Sequence, residues 1–348
     1  MNVLAKPYDV STIRKDFAIL GREVYGKKLV YLDNAASAQK PEAVIEAMTR
    51  LMREDYANVH RGLHYLANAS TEAYEAARES ARRFMNAAHL EEIVFTRSST
   101  GALNTVASSL GRYLKLGEGD EIILSILEHH SNIVPWHYWR ERHGAVIKWA
   151  PVDEDGNFLL EEFEKLITPR TKVVSLTQMS NAIGTIVPIA EVAAICQAHG
   201  IPLVVDGSQG AVHLPVDVQA LGCDFYAFTG HKTYGPTGSG VLWGRKEWLD
   251  KLPPYEGGGE MNSIRIFGKA KEKGAIVAFE MKGAHAHDVA TVIDRAGVAV
   301  RAGTHCAMPL LARYGVTSTC RASFGLYNTL EEVDKLVEAL RKAESLFA

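Results

Sequence analysis

Residues Phe225–Gly240 read F-Y-A-F-T-G-H-K-T-Y-G-P-T-G-S-G, an apolar run that passes directly into Thr-Gly-His-Lys and then into a turn dense in Gly and Pro. An uncharged run of this length, closed by turn residues, suits a strand buried on both faces, as in a parallel sheet. Lys232 then falls just past the carboxyl end of the strand, the edge at which open α/β sheets bind ligands. Most lysines are solvated surface residues. One held at a sheet edge can instead lose solvation, drop its pKa and form a Schiff base with an aldehyde.

Upstream, Ile201–Gln209 (I-P-L-V-V-D-G-S-Q) ends a second apolar run at Asp206, at the same edge. A carboxylate there can pair with a protonated pyridine nitrogen, as pyridoxal phosphate requires, or simply cap the next helix. Thr96–Asn104 (T-R-S-S-T-G-A-L-N) sets Ser98, Ser99, Thr100 and Gly101 between a strand and a helix, where hydroxyls and free amides bind anions or serve as ordinary caps. Thr229 and His231 add phosphate donors beside Lys232. In Glu128–Trp136 (E-H-H-S-N-I-V-P-W), His129 follows a strand and can stack on a ring and carry protons, or pack. Asn181, in Q-M-S-N-A-I-G-T, and Gln209 can hydrogen-bond a ring hydroxyl or a substrate.

The rest of the chain repeats the alternation of strand and helix, which predicts an α/β fold with a mostly parallel sheet. Lys28–Asp33 reads as a strand, with helices over Pro41–Tyr56 and Thr71–Asn86 after it. Strands are expected at Ile93–Thr96, Glu121–Ser125, Ala145–Ala150, Lys172–Thr177, Pro202–Asp206 and Phe225–Thr229, with helices between them. Pro253–Asn262 (P-P-Y-E-G-G-G-E-M-N) reads as a boundary before a small α/β lobe that closes on helix Leu330–Phe347.

With 348 residues, 47% hydrophobic and 23% charged, and a net charge of −3, the composition is that of a globular protein. It offers no electrostatic reason to expect nucleic acid, and no apolar run approaches the roughly 20 residues a membrane helix needs. Met1–Asp9 lacks the apolar stretch of a secretory signal, and the four cysteines form no C-x-x-C pair, so a reducing cytoplasm is expected. Cys196, Cys223 and Cys320 read as packing residues. Cys306 differs: R-A-G-T-H-C-A-M-P is a loop with an adjacent His and a nearby Arg, surroundings that lower a thiol pKa and keep it reachable.

Taken in order, L-D-N-A-A near Asp33, A-N-V-H-R-G at Ala57–Gly62, E-H-H-S-N-I-V-P-W, S-N-A-I-G-T, V-V-D-G-S-Q, T-G-H-K-T-Y-G-P-T-G, E-G-G-G-E-M, R-A-G-T-H-C-A-M-P and C-R-A-S resemble the pyridoxal-phosphate-dependent cysteine desulfurases. The likeness is to their second, SufS-like group, which includes cysteine desulfurase/selenocysteine lyase relatives. It implies the type I, aspartate-aminotransferase-like fold in a homodimer. It further implies an N-terminal segment 1–20 packing with the small lobe, a large cofactor domain over 21–258 and a small domain over 259–348. By the same resemblance Lys232 holds pyridoxal 5'-phosphate as a Schiff base, Asp206 pairs with the pyridine nitrogen, His129 stacks on the ring and Gln209 lies near the ring oxygen. Thr100 and His231 match phosphate ligands, Thr229 standing where Ser is more usual. Asn181 and Arg321 match holders of the substrate carboxylate, Arg301 and His60 fall near the substrate, and Cys306 matches the sulfur acceptor.

The implied reaction takes sulfur from L-cysteine, giving L-alanine and a Cys306 persulfide that a SufE-like or SufU-like acceptor collects for iron–sulfur cluster assembly. Selenocysteine lyase or cysteine-sulfinate desulfinase activity would use the same residues. A third alternative is a catalytically impaired variant of the fold. Measured against the family's length, about 60 residues are lacking near 261–263, where Asn262 passes almost directly to S-I-R-I-F-G.

Overall fold

The computed structural model describes residues 9–60, 65–256, 264–267 and 274–347. The end of the Ala57–Gly62 motif, the E-G-G-G-E-M motif beyond Glu256 and the junction near 261–263 lie outside the described residues. The chain divides into two compact units, one ending at Tyr255 and one running from Glu256, with His60 grouped in the second.

In the first unit a hairpin of β1 (Glu23–Val24) and β2 (Lys27–Lys28) precedes a seven-stranded sheet. Its strands are β3 (Ile93–Thr96), β4 (Glu121–Ser125), β5 (Val146–Ala150), β6 (Thr171–Thr177), β7 (Leu203–Asp206), β8 (Phe225–Thr229) and β9 (Gly240–Gly244), in the order β3-β9-β8-β7-β6-β4-β5. The pleat sends alternate side chains to opposite faces. Ile123, Val174, Leu203, Val205 and Tyr226 accordingly join one buried cluster, and Ile122, Val173, Val204, Phe225 and Ala227 the other. Helices cover both faces, which is why the strand sequences are apolar throughout rather than alternating.

Strands β4 to β8 pair in parallel. From β4 the chain steps outward to β5, then returns to place β6 on the other side of β4. Connections therefore diverge between β4 and β6, and such a switch point opens a crevice at the carboxyl ends of the strands.

Two departures from the sequence reading have physical causes. Of the expected strand Lys28–Asp33 only Lys28 pairs, as the end of β2; Leu29–Asp33 has no strand partner, and Val30 and Leu32 stand exposed. An apolar run makes a strand only where a neighbour accepts its hydrogen bonds. The second is β9, which sequence reading passed over because Gly240–Gly244 follows a Gly/Pro-rich turn. It runs antiparallel between β3 and β8 and is fully buried. Residues 9–20 group with the first unit, where the ring of Phe17 meets Tyr234 edge-on at 5.9 Å.

The second unit holds a four-stranded antiparallel sheet, β10 (Ile264–Phe267), β11 (Ile276–Met281), β12 (Arg301–Gly303) and β13 (Thr319–Ser323), in the order β10-β11-β13-β12. Helices Ala286–Asp294 and Leu330–Phe347 supply Val289, Ile293, Leu336, Leu340 and Ala343 to its core.

Candidate active site

At the carboxyl ends of β4, β6, β7 and β8 the first unit opens a cavity of about 500 Å³. Ten residues singled out from the sequence line it: Ser98, Ser99, Thr100, His129, Asn181, Asp206, Gln209, Thr229, His231 and Lys232. Each arrives on a strand end or on the turn that follows one, so the sheet itself brings together residues more than a hundred positions apart. Asp33, Ser131, Thr177, Met179 and Ser208 also line the cavity and were not picked out. The sequence carried a signal for two of them. Ser208 lies inside D-G-S-Q, and Thr177 ends a predicted strand.

Asp206 ends β7 almost fully buried, and its Oδ1 accepts the amide of Ser208 at 2.9 Å. Lys232 follows β8, half-buried, with no hydrogen-bond or ion-pair partner for Nζ among the described residues. Burial holds its pKa below the usual lysine value, and the negative charge of Asp206 works against that shift. His129 accepts the Ser131 amide on Nδ1 at 3.1 Å, so in the neutral ring the proton sits on Nε2. Desolvation lowers its pKa; Asp206 pulls it up, while Lys232 and His130 push it down. His231, on the far side of Lys232, is also lowered by burial and by the charges of Lys232 and Lys40.

The amino terminus of helix Ser99–Leu114 also lines the cavity. Ser98 caps it, its Oγ accepting from the amide of Gly101 at 3.1 Å and its carbonyl from Ala102 at 3.0 Å. The amides of Ser99 and Thr100 have no acceptor among the described residues. The Thr100 hydroxyl lies 2.7 Å from that of Ser131. Free amides, hydroxyls and the positive end of a helix of 16 residues together suit an anion such as phosphate. Gly240 of β9 lies against this turn: a Cβ there would come within 2.5 Å of the Ser98 backbone. Gln209 is buried and donates from Nε2 to the Ala35 carbonyl at 2.8 Å. Thr229 is buried too, its hydroxyl 3.4 Å from the Ser239 carbonyl.

Cys306, Arg301, Arg321 and His60 belong to the second unit. Cys306 lies between β12 and helix Met308–Tyr314, exposed, while Cys196, Cys223 and Cys320 are buried. Both His305 and Cys306 take left-handed backbone conformations, φ +52° and +56°. Side chains other than Gly rarely adopt that region, and it gives the loop a sharp exposed bend. The Nε2 of His305 is 3.0 Å from the Thr319 carbonyl, which can only accept, so Nε2 carries the proton. Arg301 and Arg321 are register partners on β12 and β13, and the buried Nε of Arg321 has no partner among the described residues.

Comparison with known proteins gives one consistent result. The sequence pattern of the aminotransferase class-V family matches residues 30–264 and 262–336. A probable cysteine desulfurase of Halalkalibacterium halodurans is 42% identical over 399 aligned positions, covering 96% of this chain and 98% of its own. A cysteine desulfurase of Klebsiella pneumoniae is also 42% identical, over 404 positions that cover 97% and 99% of the two chains. Among solved structures, the Escherichia coli cysteine desulfurase CsdA aligns with a TM-score of 0.66 at 34% identity, covering 99% of this chain and 100% of its own. A Thermococcus onnurineus cysteine desulfurase aligns at 0.68 and 31%, covering 99% of both chains. The two family segments meet at 262–264, and 399 aligned positions exceed the 348 residues by 51, so at least that many positions have no counterpart in this chain.

Proposed function

The chain belongs to the class-V aminotransferases and, within them, to the cysteine desulfurases, and from that membership we propose that it converts L-cysteine to L-alanine while loading sulfur on Cys306 as a persulfide. The observation that carries the reading is the cavity in which an unpaired, half-buried Lys232 with a depressed pKa shares one sheet edge with buried Asp206. The family depends on pyridoxal phosphate, and this donor set fits it. An amine, a carboxylate and a helix amino terminus whose Ser99 and Thr100 amides have no acceptor among the described residues suit an aldehyde, a pyridine nitrogen and a phosphate, and the buried Ser208 hydroxyl has no partner among the described residues. When bound, that cofactor supplies an electron sink at the substrate Cα.

The protein's own groups do the rest. Lys232 would hold the aldehyde and, once released, move the Cα proton, and burial shifts its pKa in the direction that favours the free amine. Asp206, excluded from water, keeps the pyridine nitrogen protonated. His129, with Nε2–H directed away from its bond to Ser131, stacks on the ring and relays protons. Ser99, Thr100, Thr229 and His231 hold the phosphate, and Gln209 the ring oxygen. Asn181 and Arg321 receive the substrate carboxylate, with Arg301 and His60 beside it. The Cys306 thiolate attacks the substrate sulfur: an S–S bond forms, the carbon–sulfur bond breaks, and the carbon keeps the pair and takes a proton to give alanine. L-cysteine plus thiol thus yields L-alanine plus persulfide.

An exposed persulfide needs an acceptor, and the short R-A-G-T-H-C-A-M-P bend supports a SufS-like enzyme that passes sulfur to a SufE-like or SufU-like protein for iron–sulfur cluster assembly. We assign the reaction to a homodimer in a reducing cytoplasm, where an accessible thiol stays reduced.

The test is to add pyridoxal 5'-phosphate to the purified protein, record the visible band, and measure alanine released from cysteine. Cys306→Ser is expected to keep the band and lose at least about 100-fold in alanine release. Lys232→Ala is expected to lose the band. A wild-type protein that stays colourless, or a Cys306→Ser variant that desulfurates at the wild-type rate, refutes the reading.

A further inference from the structure

Glu128 is a buried carboxyl that none of these roles uses. It precedes His129 in the turn after β4, and its oxygens take hydrogen bonds from three directions. The Ser125 hydroxyl at the end of β4 donates to Oε1 at 2.6 Å, and the Thr177 amide at the end of β6 donates to the same oxygen at 2.9 Å. Asn132 Nδ2 donates to Oε2 at 2.7 Å, while Asn132 Oδ1 accepts from Ser175 of β6 at 2.6 Å. Ser125, Asn132 and Ser175 are wholly inaccessible to solvent. The carboxylate therefore spans the floor of the β4–β6 switch-point crevice. Residues 128 and 132 close a ring around His129, whose carbonyl also accepts the Asn132 amide at 2.8 Å. On the far side, Thr177 is the register partner of Asp206 across β6 and β7.

We propose that Glu128 is a positioning residue that ties the His129 turn, across the crevice, to the strand position paired with Asp206, and so fixes where the imidazole stands at the cavity. That His129 then serves the cofactor rests on the function proposed above; the positioning itself does not. The charged group that bears on Glu128 from the neighbouring strand is Asp206, which opposes its ionisation.

The hydrogen-bond polarity specifies which variant should restore the geometry. In Glu128→Gln, Oε1 can still accept from Ser125 and Thr177, but Nε2 would face the donor Nδ2 of Asn132. Rotating the Asn132 amide by half a turn removes that clash: Oδ1 accepts from the new Gln, and Nδ2 donates to the Ser175 hydroxyl, which can accept as well as donate. The Ser125 hydroxyl, the Thr177 amide and the Asn132 side chain keep partners, and the cost falls on the Ser175 proton, which gives up Asn132 Oδ1 as its acceptor. In Glu128→Ala the Thr177 amide and the Asn132 amide lose their acceptor, and the ring around His129 opens.

The experiment titrates cofactor-free protein carrying 13C-labelled histidine, with His129 and His231 assigned from their His→Gln variants. In Glu128→Ala the His129 midpoint is expected to rise towards the ordinary histidine value, about threefold in proton affinity, as the freed imidazole regains water. His231, also lowered by burial but held on another turn, should not move. Glu128→Gln should keep the wild-type midpoint, and Glu128→Met, which fills the site without an acceptor, should behave like Glu128→Ala. Ser175→Ala should resemble wild type.

An unchanged His129 in folded Glu128→Ala overturns the proposal, as does a joint shift of His129 and His231, which marks general loosening. If Glu128→Ala does not fold, Glu128→Met decides, and a wild-type His129 midpoint in that variant overturns it. Added pyridoxal 5'-phosphate should bind Glu128→Ala about tenfold more weakly than wild type and Glu128→Gln within about threefold. A wild-type protein that binds none sinks the cofactor reading, while the titration still decides whether Glu128 positions His129.

Discussion

Burial pushes the Glu128 carboxyl up to about 7 against the pull of its hydrogen bonds, with Asp206 adding to the rise. An acid whose folded pKa lies above its unfolded one stabilises the fold fully below the unfolded value and loses that contribution as pH rises through the folded one. Between pH 4.5 and 7 the unfolded chain ionises Glu128 while the folded chain keeps its proton, so folding stability falls by about 3 kcal/mol across that window. Glu128→Gln, which never ionises, is expected to flatten the fall. Denaturant unfolding of cofactor-free wild type and variant, from pH 4.5 to 8, measures it. Parallel curves would place the titrating group elsewhere. The stretch E-H-H-S-N named His129 but not Glu128, for a physical reason: what makes the carboxyl unusual is the amide of Thr177, 49 residues later, and the absence of water, neither of which is written locally. Lys232, Asp206 and Thr100 were legible because a strand end followed by a reactive or turn-forming residue is a local pattern.

Strands β3 to β8 stand where they were expected, and β4, β6, β7 and β8 are the most plainly written, because an apolar run buried on both faces leaves little choice of structure. Leu29–Asp33 misled because its continuous run L-V-Y-L resembles a strand, yet pairing needs a partner that the pattern does not reveal. Strand β9 was hidden by its glycines. Those same glycines explain its place in the sheet: Gly240 lets β9 pass beneath the Ser98 turn, where a Cβ would meet Ser98 backbone atoms at 2.5, 2.7 and 2.9 Å. Backbone on both sides cannot yield as a side chain would. Gly240→Ala is therefore expected to cost about 1–3 kcal/mol and to displace the turn that presents Ser99 and Thr100. The control is Gly117→Ala, whose added Cβ has its nearest neighbour at 3.8 Å and should fall within about 0.5 kcal/mol of wild type. Urea midpoints of the two variants, with pyridoxal 5'-phosphate affinity measured alongside, decide the matter. Equal midpoints would mean that β9 adjusts freely and that its glycine is not a steric requirement.

At the scale of the whole chain, each unit carries its own buried core, a two-faced sheet in the first and a one-faced antiparallel sheet under two helices in the second. The alternation of strands and helices announced the first kind of core. The second was harder to read, because a short antiparallel sheet is assembled by pairings such as Val277 with Ala322, 45 positions apart, that leave only a weak local pattern. Two cores of unequal size need not lose their structure together. Ile293 is fully buried in the second core, between the sheet and helix Leu330–Phe347. Ile293→Ala removes buried methyl groups and leaves a cavity, at a cost of about 2–5 kcal/mol. If the smaller unit melts as its own cooperative block, that cost lowers its transition by about 10 °C or more while the transition of the first unit stays in place. Scanning calorimetry of wild type and Ile293→Ala, with the visible band of bound pyridoxal 5'-phosphate followed through the same ramp, separates the two. The lower transition should shift alone and the band should persist through it, since the residues proposed to hold the cofactor belong to the first unit. One transition that shifts as a whole, carrying the band with it, would show that the units unfold as one.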